Sequence, residues 1–253
     1  MIIIMHPTRP APGKIVDCQE RFADDRRRGQ TGELHNIAVQ MGLIDVTAVG
    51  RHPGSSYAVA DQATRVAVEL DRLDVGHALV AGHSSGGVIA TALTEQYPHR
   101  VDGLFFFNTG PHLDAYIAQE TPLPAGDWSE LDDDEIREAI RDAFAPGFRI
   151  PKACVDQFRD VDLPALAATS RAIIGYLTER SLPERLAPLG KPLSVLFGAQ
   201  DQRWDPRAAA DYRSVPGANV ELLPGIGHSP NLEDPSLAAA RLLAFAAELA
   251  EVS

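Results

Sequence analysis

Short apolar or β-branched runs alternate along this chain with longer segments of helical period. This alternation is typical of a parallel β-sheet that carries helices on both faces. Six runs are predicted to be strands: Ile2 to Met5, Val46 to Val49, Ala78 to Ala81, Val101 to Phe107, Leu193 to Phe197 and Val220 to Leu223. The sequence therefore predicts an α/β fold with a mostly parallel central sheet of about six strands.

Helical spacing of apolar residues marks several segments between these strands. Val59 to Leu73 and Gly86 to Tyr97 are predicted helices. Two later helices are predicted to begin at Asp205-Pro206 and Asp234-Pro235, because Asp caps free N–H groups and Pro fits the first helical turn. The last helix has an apolar stripe, which we expect to pack on the sheet.

The strand pattern disappears between residues 112 and 191. Three segments there have helical patterns and are separated by prolines: Glu130 to Phe144, Lys152 to Phe158 and Leu163 to Leu177. We interpret 112–191 as a helical cap over the end of the sheet, and residues 1–111 and 192–253 as the core. The acidic run Asp132 to Glu135 is favoured by the dipole at a helix N-terminus, so we do not interpret it as a metal site.

The overall composition argues against several classes of partner. The 253 residues carry a formal net charge of −12, which disfavours binding to nucleic acid or to an anionic membrane surface. Cys18 and Cys154 are too few for a disulfide framework. The apolar run Met1 to Met5 is shorter than a signal-peptide core or a membrane span. We expect a soluble, cytoplasmic protein with a small-molecule substrate, no cofactor and no metal, and the sequence carries no signal of its oligomeric state.

The hexapeptide Gly-His-Ser-Ser-Gly-Gly at 82–87 is the clearest chemical signal in the chain. It directly follows a predicted strand and opens a predicted helix. Glycines two positions from Ser84 allow the sharp strand-to-helix turn that exposes a nucleophile in a strained backbone conformation. Ser84 is therefore predicted to be a nucleophile. The N–H of Ser85, at the helix N-terminus, is predicted to stabilise an oxyanion.

A serine nucleophile needs a base, and the chain has eight histidines. His228 lies in a glycine-rich loop after the last predicted strand, which delivers it to the same edge of a parallel sheet as Ser84. Weaker rivals near other strand ends are His6, His52 and His112. His83 adjoins the nucleophile but points the wrong way along the chain to reach its hydroxyl. We predict that His228 is the base.

The base in turn needs a carboxylate that orients its ring. Asp201 follows the strand Leu193 to Phe197 through Gly-Ala-Gln and so lies at the carboxyl end of that strand. Asp205 competes for the role, but its position before Pro206 already explains it as a helix cap. We predict that Asp201 is the acid.

The order Ser84, Asp201, His228 is the nucleophile, acid and base order of the α/β-hydrolase family. From about Tyr57 to the C-terminus the chain resembles this family in four motifs: the hexapeptide at 82–87, Phe-Phe-Asn-Thr-Gly-Pro at 106–111, Phe-Gly-Ala-Gln-Asp at 197–201 and Pro-Gly-Ile-Gly-His-Ser-Pro at 224–230. The resemblance implies an α/β-hydrolase fold. The segment 112–191 falls where family members carry a helical cap, which implies a buried pocket between the cap and the sheet.

The first 56 residues depart from the family pattern. Family members have a strand that ends in His-Gly, and the backbone N–H just after that pair is the second oxyanion donor. The matching pair here is His6-Pro7, which assigns the second donor to Thr8. Proline offers no N–H and restricts the backbone, so we expect an altered oxyanion hole.

These features together predict a serine hydrolase that cleaves a small, largely apolar ester, thioester or lactone through an acyl-enzyme. Two alternatives stay open from the sequence. The same triad could hydrolyse a carbon–carbon bond in a diketone-like substrate, which the resemblance permits. The chain could also be a non-hydrolytic, ligand-binding member of the fold, which Pro7 and the shortened front end suggest.

Overall fold

A computed structural model of the chain describes residues 2–5, 42–44, 56–118, 130–159 and 161–252. Six strands of the described chain form one sheet in the order β2-β1-β3-β4-β5-β6. These strands are β1 (Ile2–Met5), β2 (Gly42–Ile44), β3 (Ala78–His83), β4 (Val101–Phe107), β5 (Leu193–Gly198) and β6 (Asn219–Leu223). Five of the predicted strands are thereby confirmed, and the predicted strand Val46 to Val49 lies outside the described residues.

Strand direction divides the sheet into two parts. The four strands β3 to β6 are mutually parallel, as the alternation of strands and helices predicts. In contrast, β1 runs antiparallel to both of its neighbours. Its residue Met5 therefore pairs with Leu79 near the start of β3, whereas Ile2 pairs with Gly82 near its end.

Helices cover both faces of this sheet. The helices of the described chain are α1 (Val59–Arg72), α2 (Ser85–Gln96), α3 (Asp133–Ala139), α4 (Lys152–Arg159), α5 (Leu163–Glu179), α6 (Leu182–Leu186), α7 (Pro230–Glu233) and α8 (Pro235–Val252). The segment Pro206–Ser214 is a 3-10 helix rather than an α-helix, and the Asp205 carboxylate caps it by accepting the Arg207 N–H at 3.0 Å. No helix of the described ranges is long and apolar enough to cross a membrane.

The central strand β4 shows why helices are needed on both sides. Its Leu104 and Phe106 side chains join a buried cluster with α1 and α2 on one face. Its Phe105 and Phe107 side chains join a second cluster with α8 on the opposite face. Successive residues of a strand point to opposite faces, so an unbroken apolar run needs cover on both. The predicted α/β architecture is confirmed.

The described residues between β4 and β5 contain the predicted helices and pack in two parts. The first part, around Ile136, Phe144 and Val155, forms an apolar cluster of its own. The second part belongs to the main core, because Ile173 of α5 and Leu182 of α6 are buried in the same cluster as α2. The division of the chain into a core and a cap at 112–191 stays a prediction.

The acidic run in this segment has a structural explanation. Asp132 caps α3 by accepting hydrogen bonds from the N–H groups of Asp134 and Glu135, both at 2.9 Å. The Asp133 carboxylate pairs with Arg159 and Lys152 of α4. These contacts, together with the helix dipole, account for the run without a metal ion.

Candidate active site

The turn from β3 into α2 places Ser84 at the carboxyl end of a central strand. Its backbone has φ 54° and ψ −122°, a region that residues with a side chain rarely adopt. The flanking glycines are required by close packing. A Cβ atom on Gly82 would lie 2.4 Å from the Gly87 nitrogen, and one on Gly87 would lie 2.2 Å from the Thr109 hydroxyl oxygen.

Hydrogen bonds from the neighbouring strand exit hold this strained turn. The Ser84 N–H donates to the carbonyl of Phe107 at 2.9 Å, and the Thr109 hydroxyl donates to the carbonyl of Ser84 at 3.1 Å. The Ser84 side chain is half-buried. Ser85 is the first residue of α2, and the first N–H groups of a helix have no partner within it. The hydrogen bonds of the described residues include none from the Ser85 N–H, which is the group predicted to bind a developing negative charge.

The carboxylate of Asp201 is buried in the loop after β5 and accepts four hydrogen bonds. Its Oδ1 accepts the backbone N–H groups of Arg203 at 2.7 Å and Trp204 at 3.2 Å. Its Oδ2 faces Nδ1 of His228 at 2.9 Å and accepts the Asn108 amide at 2.7 Å. The acid is thus held rigidly by its own loop and by the neighbouring strand exit.

His228 lies in the loop after β6 with its ring almost completely buried. Its Nδ1 is engaged by Asp201, and its Nε2 is buried with no hydrogen-bond partner in the described part of the chain. An Nδ1 proton held by a carboxylate leaves the Nε2 lone pair available to accept a proton. The structure therefore brings Asp201 and His228, the predicted acid and base, into direct hydrogen-bond contact.

His83, the residue before Ser84, contacts the loop that carries His228. The His83 Nε2 donates to the backbone carbonyl of His228 at 2.8 Å, and the two imidazole rings lie 5.0 Å apart. The elbow and the base loop are therefore in direct contact. The Nε2 of His228 makes no hydrogen bond to Ser84 within the described residues, and such bonds are often formed only when substrate binds.

The environment of His83 keeps its ring neutral. Burial lowers the pKa of His83 well below 6.5, and the neighbouring His228 ring lowers it further. A neutral ring donates one hydrogen bond to the His228 carbonyl without adding a positive charge beside the base. The sequence argument set His83 aside as the base and did not anticipate this contact.

Two other residues that support the base loop were missed. Asn108 donates to the Gly227 carbonyl at 3.0 Å as well as to Asp201. Glu233 accepts three backbone N–H groups, those of Gly227 at 2.9 Å, Ser229 at 3.0 Å and Ala145 at 2.9 Å. The sequence motif at 106–111 includes Asn108, but nothing in the sequence indicates the contacts of Glu233.

The remaining candidates lie elsewhere. His112 pairs with Asp211 in a groove of about 440 Å³, and the residues that line this groove include none of the three predicted triad members. His6 and His52 lie outside the described residues. Asp205 is engaged as a helix cap, as predicted. Among the described residues, no three His, Cys, Asp or Glu side chains are grouped as a metal site requires.

The assignment of the second oxyanion donor to Thr8 stays a prediction. Thr8 itself lies outside the described residues. The resemblance implies a preceding strand that ends at the same edge of the sheet as Ser84. However, β1 runs the other way, since Met5 pairs with Leu79 and not with the end of β3. Four apolar residues do not specify strand direction, so the sequence could not reveal this.

Four parallel strands with a strained serine at the exit of β3, and a hydrogen-bonded aspartate and histidine at the exits of β5 and β6, are typical of the α/β-hydrolase class of enzymes. A comparison with family models agrees with this class. Residues 26–242 match the model of the alpha/beta hydrolase family. The chain belongs to this family and is a hydrolase.

Individual relatives are distant but cover most of the chain. It is 28% identical to the pimeloyl-[acyl-carrier protein] methyl ester esterase of Edwardsiella ictaluri, over 82% of this chain and 83% of that protein. Among solved structures, it resembles an esterase from Exiguobacterium antarcticum with a TM-score of 0.58 at 17% identity, over 76% of this chain and 75% of the other. It also resembles a meta-cleavage product hydrolase from Pseudomonas fluorescens with a TM-score of 0.57 at 17% identity, over 78% and 75%. These structural likenesses concern the fold.

Proposed function

We propose that this hydrolase cleaves a small, largely apolar ester, thioester or lactone through a triad of Ser84, His228 and Asp201. The observation that carries the proposal is the buried Asp201–His228 hydrogen bond of 2.9 Å, in a loop that contacts the serine elbow through His83; the Nε2 of His228 has no hydrogen-bond partner among the described residues. The Edwardsiella relative is by name a methyl ester esterase, which supports ester hydrolysis as the reaction.

In the proposed mechanism each group has one role. The Ser84 hydroxyl attacks the substrate carbonyl carbon while Nε2 of His228 takes the hydroxyl proton. The negative charge that develops on the carbonyl oxygen is stabilised by the N–H of Ser85. His228 then gives the proton to the leaving group, and an acyl-enzyme on Ser84 remains. A water molecule that His228 deprotonates releases the acid and restores the serine.

Asp201 acts on this sequence through the histidine. Its Oδ2 fixes the Nδ1 proton and the ring orientation, and its charge stabilises the imidazolium that forms during each proton transfer. We propose a small-molecule substrate and neither nucleic acid nor membrane as a partner, consistent with the net charge of −12.

The experiment is hydrolysis of p-nitrophenyl acetate and p-nitrophenyl butyrate by the purified protein. We expect turnover that falls by about three orders of magnitude or more in Ser84→Ala. Ser214→Ala is the matched control, because the Ser214 hydroxyl is exposed and donates to the Asp211 carbonyl instead. Ester turnover that persists in Ser84→Ala would contradict the proposed triad. Turnover of a diketone without turnover of either ester would indicate that the enzyme hydrolyses a carbon–carbon bond instead of an ester.

A further inference from the structure

Asn108 occupies the exit of β4, between the strand that carries Ser84 and the strand that leads to Asp201. It is completely buried, and its backbone has φ 42°. Asn is among the few residues with a side chain that tolerate this left-handed conformation. Its N–H continues the sheet by donating to the carbonyl of Leu196 at 3.0 Å. The backbone of Asn108 is thus fixed in place independently of its side-chain contacts.

The oxygen and both N–H bonds of the Asn108 carboxamide are hydrogen-bonded within these loops. Its Oδ1 accepts the N–H of Gly198 at 3.1 Å, and its Nδ2 donates to Oδ2 of Asp201 at 2.7 Å and to the carbonyl of Gly227 at 3.0 Å. The opposite amide orientation would direct Oδ1 at two acceptors and Nδ2 at a donor. The hydrogen-bond network therefore determines which atom is the nitrogen.

Both acceptors of this amide belong to the candidate site. The same Oδ2 of Asp201 that Asn108 holds also binds Nδ1 of His228 at 2.9 Å. The Gly227 carbonyl directly precedes His228 in the chain. One side chain thereby fixes the acid and the base loop relative to each other. Small displacements of catalytic groups lower the rate of a reaction steeply.

The next residue extends the same arrangement to the nucleophile. The Thr109 hydroxyl donates to the carbonyl of Ser84 at 3.1 Å. The exit of β4 therefore contacts the nucleophile elbow, the acid loop and the base loop through two consecutive side chains. A buried amide that served packing alone could be satisfied by any hydrogen-bond partner. The partners of Asn108 are instead the groups that set the position of the base.

We propose that Asn108 is a positioning residue of this hydrolase, which aligns His228 by holding Asp201 Oδ2 and the Gly227 carbonyl at once. This inference rests on the proposed function, because it assigns Asn108 a role through the triad. Because Asn108 is completely buried, its side chain offers no surface to a substrate, and we expect its removal to lower kcat and leave KM largely unchanged.

The first test replaces the amide by an apolar group of similar shape. We expect Asn108→Leu to lower kcat on p-nitrophenyl butyrate by about 10- to 100-fold, with KM within about threefold. Gln62→Met is the matched control. Gln62 is also a buried carboxamide, but it donates to the carbonyl of Tyr57, which lies just before α1. A loss in kcat that Gln62→Met shows equally would overturn the role.

A double-mutant cycle separates positioning from general structure. If Asn108 acts through the acid, Asn108→Leu should cost less than about threefold in an Asp201→Ala background, where the acceptor is gone. If the two losses multiply in full, Asn108 does not act through Asp201, and the proposal is wrong.

The variant Asn108→Asp gives a readout that a packing defect would not produce. Two carboxylates at 2.7 Å share a proton at low pH, and the protonated one can still donate to the other. When both ionise they repel each other, so kcat/KM of Asn108→Asp should fall between about pH 6 and 9, where the wild-type profile does not. In the described part of the chain, this pair is also faced by His228, by the N–H groups of the Asp201 loop, and by the Gly198 N–H and the Gly227 carbonyl. A variant profile parallel to wild type would contradict the proposal, and this test stands even if Asn108→Leu fails to fold.

Ser84→Ala in the same assays distinguishes failure of the proposed triad from failure of the proposed role of Asn108. Activity that persists in Ser84→Ala refutes the triad itself. Loss of activity in Ser84→Ala together with wild-type behaviour of both Asn108 variants refutes only the role of Asn108.

Discussion

Nδ1 of His228 lies 2.9 Å from Oδ2 of Asp201, and both side chains are excluded from solvent. The two residues come from the loops after β5 and β6, which pair in parallel. Because adjacent parallel strands end at one edge of the sheet, their exit loops meet there. The same register brings the exit of β3, with Ser84, to this edge by way of β4. Sheet topology alone thus brings together residues that are far apart in the sequence.

Gly82, two positions before Ser84, has no room for a side chain because backbone atoms lie against its Cα. A Cβ atom on Gly82 would lie 2.4 Å from the Gly87 nitrogen, and neither backbone segment can yield without opening the elbow. We expect Gly82→Ala to lower the free energy of unfolding by at least about 2 kcal/mol and to abolish ester turnover. Chemical denaturation and the p-nitrophenyl butyrate assay measure both.

Gly76→Ala is the control for this prediction, since a Cβ there meets no atom within 4 Å. It should change stability by less than about 1 kcal/mol, in either direction. Equal stability of the two alanine variants would show that the elbow tolerates a side chain at position 82.

The pKa of His83 makes stability depend on pH in a defined direction. Burial and the adjacent His228 ring lower this pKa well below 6.5 in the folded protein. The unfolded chain therefore binds a proton that the folded protein excludes, and stability is lost as pH falls below about 6.5. This site contributes at most about 1.4 kcal/mol per pH unit. In His83→Gln, which keeps an amide donor for the His228 carbonyl, we expect a shallower fall in unfolding free energy between about pH 6.5 and 5.

Denaturation curves at several pH values check this difference in slope. His99→Gln, an exchange of an exposed histidine, controls for the loss of a histidine as such. If His83→Gln and the wild type lose stability in parallel below pH 6.5, the ring of His83 is not held neutral.

Glu233 connects three segments of the site region through one carboxylate. Its oxygens accept the N–H groups of Gly227, Ser229 and Ala145 at 2.9 to 3.0 Å. Glu233→Gln replaces one acceptor oxygen by a donor and leaves at least one N–H unsatisfied. We expect a loss of about 1 to 3 kcal/mol in unfolding free energy, and a lower kcat because the base loop is less well fixed.

The comparison variant is Glu221→Gln, which removes a half-exposed ion pair with Arg241. Such pairs contribute about 1 kcal/mol or less. A loss in Glu233→Gln no larger than in Glu221→Gln would mean that the three backbone contacts do not stabilise the loop.

Much of this site was accessible from the sequence because local chemistry dictates it. Glycines at 82, 86 and 87 after an apolar run indicate a sharp strand-to-helix turn, and the turn identifies Ser84. Asp201 and His228 follow from the rule that parallel strands end at one edge. The helix starts at Pro206 and Pro235 could also be predicted from the sequence, since capping involves only neighbouring residues.

The contacts that were missed depend on residues far apart in the chain. Asn108 bonds to an acid 93 residues away and to a carbonyl 119 residues away, and neither partner leaves a trace in the local sequence. The direction of β1 was missed for a related reason. A run of Ile-Ile-Ile-Met can pair in either direction, and only the rest of the sheet decides between them.

The most direct measurement identifies the residue that a fluorophosphonate probe modifies. The purified protein is incubated with the probe, digested and analysed by mass spectrometry, alongside Ser84→Ala, His228→Ala and Ser214→Ala. We predict a single modified peptide that carries the adduct on Ser84, no adduct in Ser84→Ala, strongly slowed labelling in His228→Ala, and wild-type labelling in Ser214→Ala. An adduct on another residue, or labelling at the wild-type rate in His228→Ala, would contradict the account.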